Sequence, residues 1–196
     1  EFATVRNKKA YIEAAIDSLL LKQADANANA VAVTDTTSLE RRYKTAKALE
    51  KNPDDRKLIL QAAAGDLADK HYSSAKAKAA MLLSRNERDV AALNIYAAAE
   101  AASGRPGEAE RHLRAAIAAD EQNAARDASG KYVRSHHACY NLARLLIEYP
   151  RLCAKGVDAR AEARRLYEKG RKECSGPVDE ALEKATAPAQ APLQGK

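Results

Sequence analysis

The residues best suited to metal or redox chemistry are His136, His137, Cys139 and Cys174. Soft thiolates beside imidazoles would suit Zn²⁺. Two thiols would instead allow a disulfide, if their α-carbons come within about 7 Å. A metal- or redox-responsive regulatory module built on His136, Cys139 and Cys174 is therefore the alternative functional expectation. The chain has three cysteines, an odd number, and their spacings match no compact zinc motif. The leading expectation is that Cys139 is a small buried packing residue, that His136 and His137 are partly exposed, and that no metal is held. Cys153 is expected to be a free thiol. No Gly-rich phosphate loop follows a strand, and neither a nucleophile elbow nor an HExxH signature is present. The carboxylates stand beside bases in stretches such as ARAEARRLYEKGRKE, the pattern of solvated ion pairs. No catalytic residue, cofactor or enzymatic activity is expected.

For Cys174 to reach Cys139, two helices must form an antiparallel hairpin, which sets the start of the first beside the end of the second. The composition favours such elements. The chain has 196 residues, enough for one domain with a real core, and includes 45 alanines, one Phe and no Trp. Val and Thr are sparse, so strands are disfavoured and an all-α protein is expected. The net charge is +6 and the pI near 9.2. Bases alternate with acids along LERRYKTAKALEK, and no aromatics interleave with them as a stacking platform. Nucleic acid is therefore not expected as a partner. No apolar run approaches the ~18 residues of a membrane span. Glu1-Phe2, without an initiating Met, reads like a cloning scar ahead of a truncated segment, so a leader could have been removed.

Helical spacing of Val5, Ile12, Ile16 and Leu19 predicts a helix over about 4–22. The Ala/Asn/Asp stretch after it reads mostly as loop. Thr37 or Ser38 caps a second helix, with Leu39, Tyr43, Ala46 and Leu49 as its apolar stripe and Pro53 beyond its end. Helices follow near 55–69, 72–84, 89–102 and 106–119. Polar and small residues around Asp127 to Gly130 interrupt the pattern. Helical spacing resumes in SHHACYNLARLLIEY, ended by Pro150, and again over about 158–173. A short helix is expected at 178–185, then a disordered Pro/Ala tail.

Two of these stretches superpose at a spacing of 34 residues: Ile59 with Leu93, Ala63 with Ala97, Ala75 with Ala109, Ala79 with Leu113, Leu83 with Ile117 and Glu87 with Glu121. A fixed period of this length marks helical hairpins stacked on one another, since a single hairpin cannot bury its apolar face. On these anchors, with Gly104 between helices and Pro106 opening a second helix, the chain resembles the tetratricopeptide repeat (TPR) family. Lys70 stands where the second repeat would have its glycine, which predicts a looser turn there. Gly156-Val157 ahead of Ala163 and Tyr167 is similar to the related Sel1-like repeats.

The resemblance implies a right-handed α-solenoid of about four hairpins over residues 38–174, with repeats near 22–55, 56–89, 90–123 and 136–174. The first half of repeat one is irregular within the N-terminal region 1–37, and residues 175–196 form a short capping helix and tail. It further implies a non-catalytic scaffold or adaptor whose concave groove binds a partner's peptide, helix or loop. In the family's register the groove positions are Lys57, Leu60, Ala64 and Leu67, then Ala91, Asn94, Ala98 and Ala101, then His137, Tyr140, Arg144 and Ile147. Of the family's carboxylate clamp only Arg144 agrees, which argues against a receptor for chaperone tails. The chain's own N-terminal helix or C-terminal tail could fill the groove instead, and self-association is also open. The Ala/Arg-rich composition looks bacterial, and by analogy with TPR proteins of this size the assembly served belongs to envelope machinery.

Overall fold

The computed structural model describes residues 38–122, 125–126 and 132–187. The helix expected at 4–22, the loop after it and the tail beyond 187 lie outside these residues. Eight α-helices are described: α1 (Ser38–Lys51), α2 (Arg56–Ala68), α3 (Tyr72–Arg85), α4 (Val90–Ala102), α5 (Pro106–Gln122), α6 (His137–Glu148), α7 (Ala159–Glu173) and α8 (Glu180–Thr186). The expectation of an all-α chain holds among the described residues, with one small addition. Ala125–Arg126 and Tyr132–Val133 pair antiparallel, so the interruption between α5 and α6 is flanked by a two-residue β-ladder.

Four of the described helices start at an aspartate cap. Asp55, Asp89, Asp158 and Asp179 are N-caps whose carboxylates accept hydrogen bonds from the amides of the first turn. The start of α6 lacks such a cap: His136 makes no side-chain capping bond there.

The 34-residue period recurs in the backbone hydrogen bonds. Asn52 N–H donates to Ala48 C=O as Asn86 does to Leu82, and Asp55 N–H donates to Asn52 C=O as Asp89 does to Asn86. At the next turn Lys70 N–H donates to Leu67 C=O and His71 N–H to Asp66 C=O. Gly104 to Ala101 and Arg105 to Glu100 repeat the pair. Both helix ends are thus Schellman turns. The looser turn expected at Lys70 is corrected: Lys70 takes φ 64° where Gly104 takes φ 81°. These two backbone hydrogen bonds hold the lysine in a region that a Cβ disfavours.

Helices pack on their neighbours in the chain, and the alternate helices α2, α4 and α6 also touch in succession. Such close approach needs small residues. Ala63, Ala75, Ala97 and Ala109 are all fully buried, beside Ile59, Leu67, Ile95, Leu113 and Leu142. At the edge the stripe expected on α1 is incomplete, because Tyr43 is 58% exposed while Leu49 packs on the core. The link after α6 holds a 3₁₀ turn, Pro150–Leu152, and Gly156 at φ 89°.

Candidate functional site

The positions singled out for docking lie on α2, α4 and α6, the three helices that touch in succession. Lys57 is exposed at the start of α2, whereas Leu60, Ala64 and Leu67 are buried. On α4, Asn94, Ala98 and Ala101 are buried and Ala91 is half-buried. On α6, Tyr140 is buried, while His137, Arg144 and Ile147 are half-buried. The apolar members therefore belong to the core. Of the polar members, Asn94, Tyr140 and Arg144 are tied through hydrogen bonds and an ion pair to Asn141 and to the chain's own C-terminal segment.

That polar connection runs across three helices. The Asn94 amide donates to Val90 C=O at 2.9 Å, and Asn141 Nδ2 donates to Asn94 Oδ1 at 3.4 Å. Arg144 Nη1 donates to Asn141 Oδ1 at 3.2 Å, and its other arm pairs with Asp179, the cap of α8. Asn141, only 2% exposed, was not among the sequence candidates. Its signal was available, since an amide inside the apolar run CYNLARLL must find a partner if buried.

The segment 175–186 closes over the same end. Tyr140 Oη donates to Pro177 C=O at 2.7 Å, and Asp179 N–H donates to Tyr167 Oη at 3.1 Å. Leu182 of α8 is 2% exposed, and α8 touches both α6 and α7. Two glycines make this approach feasible. A Cβ on Gly176 would lie 2.5 Å from Tyr140 Oη and 2.8 Å from His136 Cβ, and one on Gly170 would lie 2.5 Å from Tyr140 Cε1. Burial raises the Tyr140 phenol well above its ordinary value, with Tyr167 adding to it, so the hydroxyl stays a donor.

The cysteines and histidines divide. Cys139 in the first turn of α6 and Cys174 at the end of α7 are both buried and stand in side-chain hydrogen-bonding contact as free thiols. Donation from Cys139 lowers the Cys174 thiol against the effect of burial, and the Arg134 guanidinium helps. The same bond and burial push Cys139 up. Arg134 is itself held by Asp120, Glu121 and Glu173 at 3.5, 3.1 and 2.9 Å. His136 instead faces His137 and Tyr140, with ring centroids 3.9 and 5.0 Å away. Among the described residues no group of three His, Cys, Asp or Glu side chains is placed to hold a metal ion. Cys153 is a free, half-buried thiol in the link before α7.

An open cleft of about 540 Å³ lies between α5 and α7. Its walls carry both signs of charge, with Arg114, Arg165 and Lys172 beside Glu121, Glu168 and Glu173. Much of this charge is spent within the walls, as in the Lys169–Glu121 and Lys172–Glu168 pairs. No described helix is long and apolar enough to cross a membrane. Comparison with protein-family models, with curated proteins and with solved structures finds no match to this chain.

Proposed function

We propose that the chain is a non-catalytic protein-interaction scaffold of the tetratricopeptide type. Its helical hairpins stack as a right-handed solenoid, and a peptide, helix or loop of a partner protein docks along the face made by α2, α4 and α6. The observation that carries the docking reading is the seating of residues 177–186. There the α6 edge of that face, together with α7, takes a chain segment through a carbonyl bonded to Tyr140, a carboxylate paired with Arg144 and a buried leucine. That is the chemistry of helix or peptide recognition, with directional polar grips around an apolar anchor. The recurring 34-residue hydrogen-bond pattern supports the repeat architecture.

The test uses a partner captured by the full chain from its native source. Lys57→Ala combined with Arg144→Ala is expected to weaken binding at least about tenfold, as anchor residues do. Arg111→Ala with Arg114→Ala is expected to change little, because those side chains are engaged in exposed i,i+3 and i,i+4 pairs. The reverse ranking, with strong salt dependence, would assign the partner to the outer helices and sink the proposal. A redox-responsive role is the second reading, favoured by the contact between Cys139 and Cys174.

A further inference from the structure

Cys139 and Cys174 come from opposite ends of the sequence of one hairpin, yet share one buried spot. The hairpin explains how: α6 and α7 pack against each other, and Gly170 lets them approach so closely that a Cβ there would lie 3.4 Å from Cys139 Cβ. Cys174 is one turn beyond Gly170 on the same face of α7. Both thiols are buried, 2% and 6% exposed, and neither is tied into a disulfide. A buried pair of soft, oxidisable groups is more than packing requires, since alanine fills comparable positions throughout this core.

We propose that Cys139 and Cys174 are a reversible thiol–disulfide pair whose oxidation staples the start of α6 to the end of α7. The oxidant class is a low-molecular-weight disulfide, RSSR. Cys174 is the entry point, because it closes α7 beside the exposed Ser175 and faces the cation of Arg134. The Cys174 thiolate attacks one sulfur of RSSR, forming the mixed disulfide and expelling RS⁻, which takes up a proton. Cys139 then loses its proton and attacks the Cys174 sulfur, expelling the second RS⁻, which is protonated in turn. Two protein thiols and RSSR become one protein disulfide and two RSH, a two-electron exchange. The bond closes the loop 139–174, so its main effect is on the unfolded chain. This inference holds whatever docks on the helical face.

The full chain is equilibrated in glutathione buffers from fully reduced to fully oxidised, quenched with iodoacetamide, digested and weighed. The expected product is an intramolecular Cys139–Cys174 linkage that dithiothreitol reverses, with Cys153 alkylated or carrying glutathione. Cys139→Ala, which removes the resolving thiol, is expected to accumulate a glutathione adduct on Cys174. The oxidised wild-type protein is expected to unfold at higher urea than the reduced one, its unfolded fraction falling about a hundredfold at equal urea. Full alkylation of both cysteines in the oxidised buffer would overturn the proposal, as would pairing of either with Cys153 or with a second chain. A linkage that forms without raising the urea midpoint would overturn the stapling. These wild-type outcomes stand even if a variant fails to fold.

Discussion

Gly170 is held in one of the tightest spots in the described chain. The ring it would strike belongs to Tyr140, which cannot swing aside: its hydroxyl is bonded to Pro177 and its ring packs 5.2 Å from that of Tyr167. Gly170→Ala is expected to cost about 1–3 kcal/mol, the range for overpacking a filled core, although alanine is the better helix former. An unchanged urea midpoint would mean that the α6–α7 approach is looser than described. Lys70 is the reverse case. Its φ of 64° suits glycine, and the equivalent position already holds Gly104. Lys70→Gly relieves about 1–2 kcal/mol of left-handed strain and gives back about 0.5–1 kcal/mol in chain entropy. The expected net is a stabilisation of up to about 1 kcal/mol, measured by urea denaturation. A loss of stability would mean that the lysine side chain contributes more than its backbone costs.

Between helices, the spacing is set by alanine. Ala97 on α4 and Ala109 on α5 are both fully buried, as are their 34-residue equivalents, Ala63 and Ala75, on the likewise packed helices α2 and α3. Enlarging either member of a pair forces two backbones apart. Ala97→Leu and Ala109→Leu are each expected to destabilise by about 1–3 kcal/mol. If both variants kept the wild-type midpoint, the small-residue register would not be what spaces the helices. The buried acids near the helix ends act differently. Asp66 is met by Lys78 and Ser74 across the α2–α3 turn, whereas Glu100 is met by Arg105 in the α4–α5 turn and by Lys76 from the preceding helix α3. In each case a carboxylate that would be costly alone is paired with a base from a neighbouring segment.

Across the whole molecule, contacts join each helix to its neighbours one or two places along the chain, and several of the joints are ionic. Arg56 at the start of α2 makes a two-armed pair with Asp89 at the start of α4, at 2.6 and 2.8 Å. Burial alone would raise the Asp89 carboxyl, but the Arg56 guanidinium and the Ala92 amide hold it below its ordinary value. Glu121 on α5 is likewise lowered, first by its bond to Lys169 of α7. A carboxylate lowered by folding adds stability that is complete above its unfolded pKa of about 4 and is lost as pH falls through the lower folded value. The urea midpoint is therefore expected to fall between pH 5 and pH 3, with a shallower fall in Asp89→Asn. Equal slopes in the two proteins would remove the α2–α4 pair from the account of acid sensitivity.

Helix positions, their caps and the alanine contacts could be read from the residues because each depends on neighbours within a turn or on a period along the chain. Asp55 and Asp89 begin helices for local reasons, and Ala75 and Ala109 repeat because the same close approach recurs. The proximity of Cys139 to Cys174 followed from hairpin geometry alone, whereas its hydrogen bond and the neighbouring Arg134 did not. Nor did the conformation of Lys70, where the hydrogen bonds of two helix ends outweigh the preference of one side chain. The state of the docking positions was least legible. Periodicity assigns Asn94, Tyr140 and Arg144 to a helix face, but not what covers that face. Asn141, Pro177 and Asp179 cover or complete it, and they come from up to 85 residues away in the chain. Their placement is decided by the long-range burial of Leu182 and by the room left at Gly170 and Gly176, which exist only once the helices have packed.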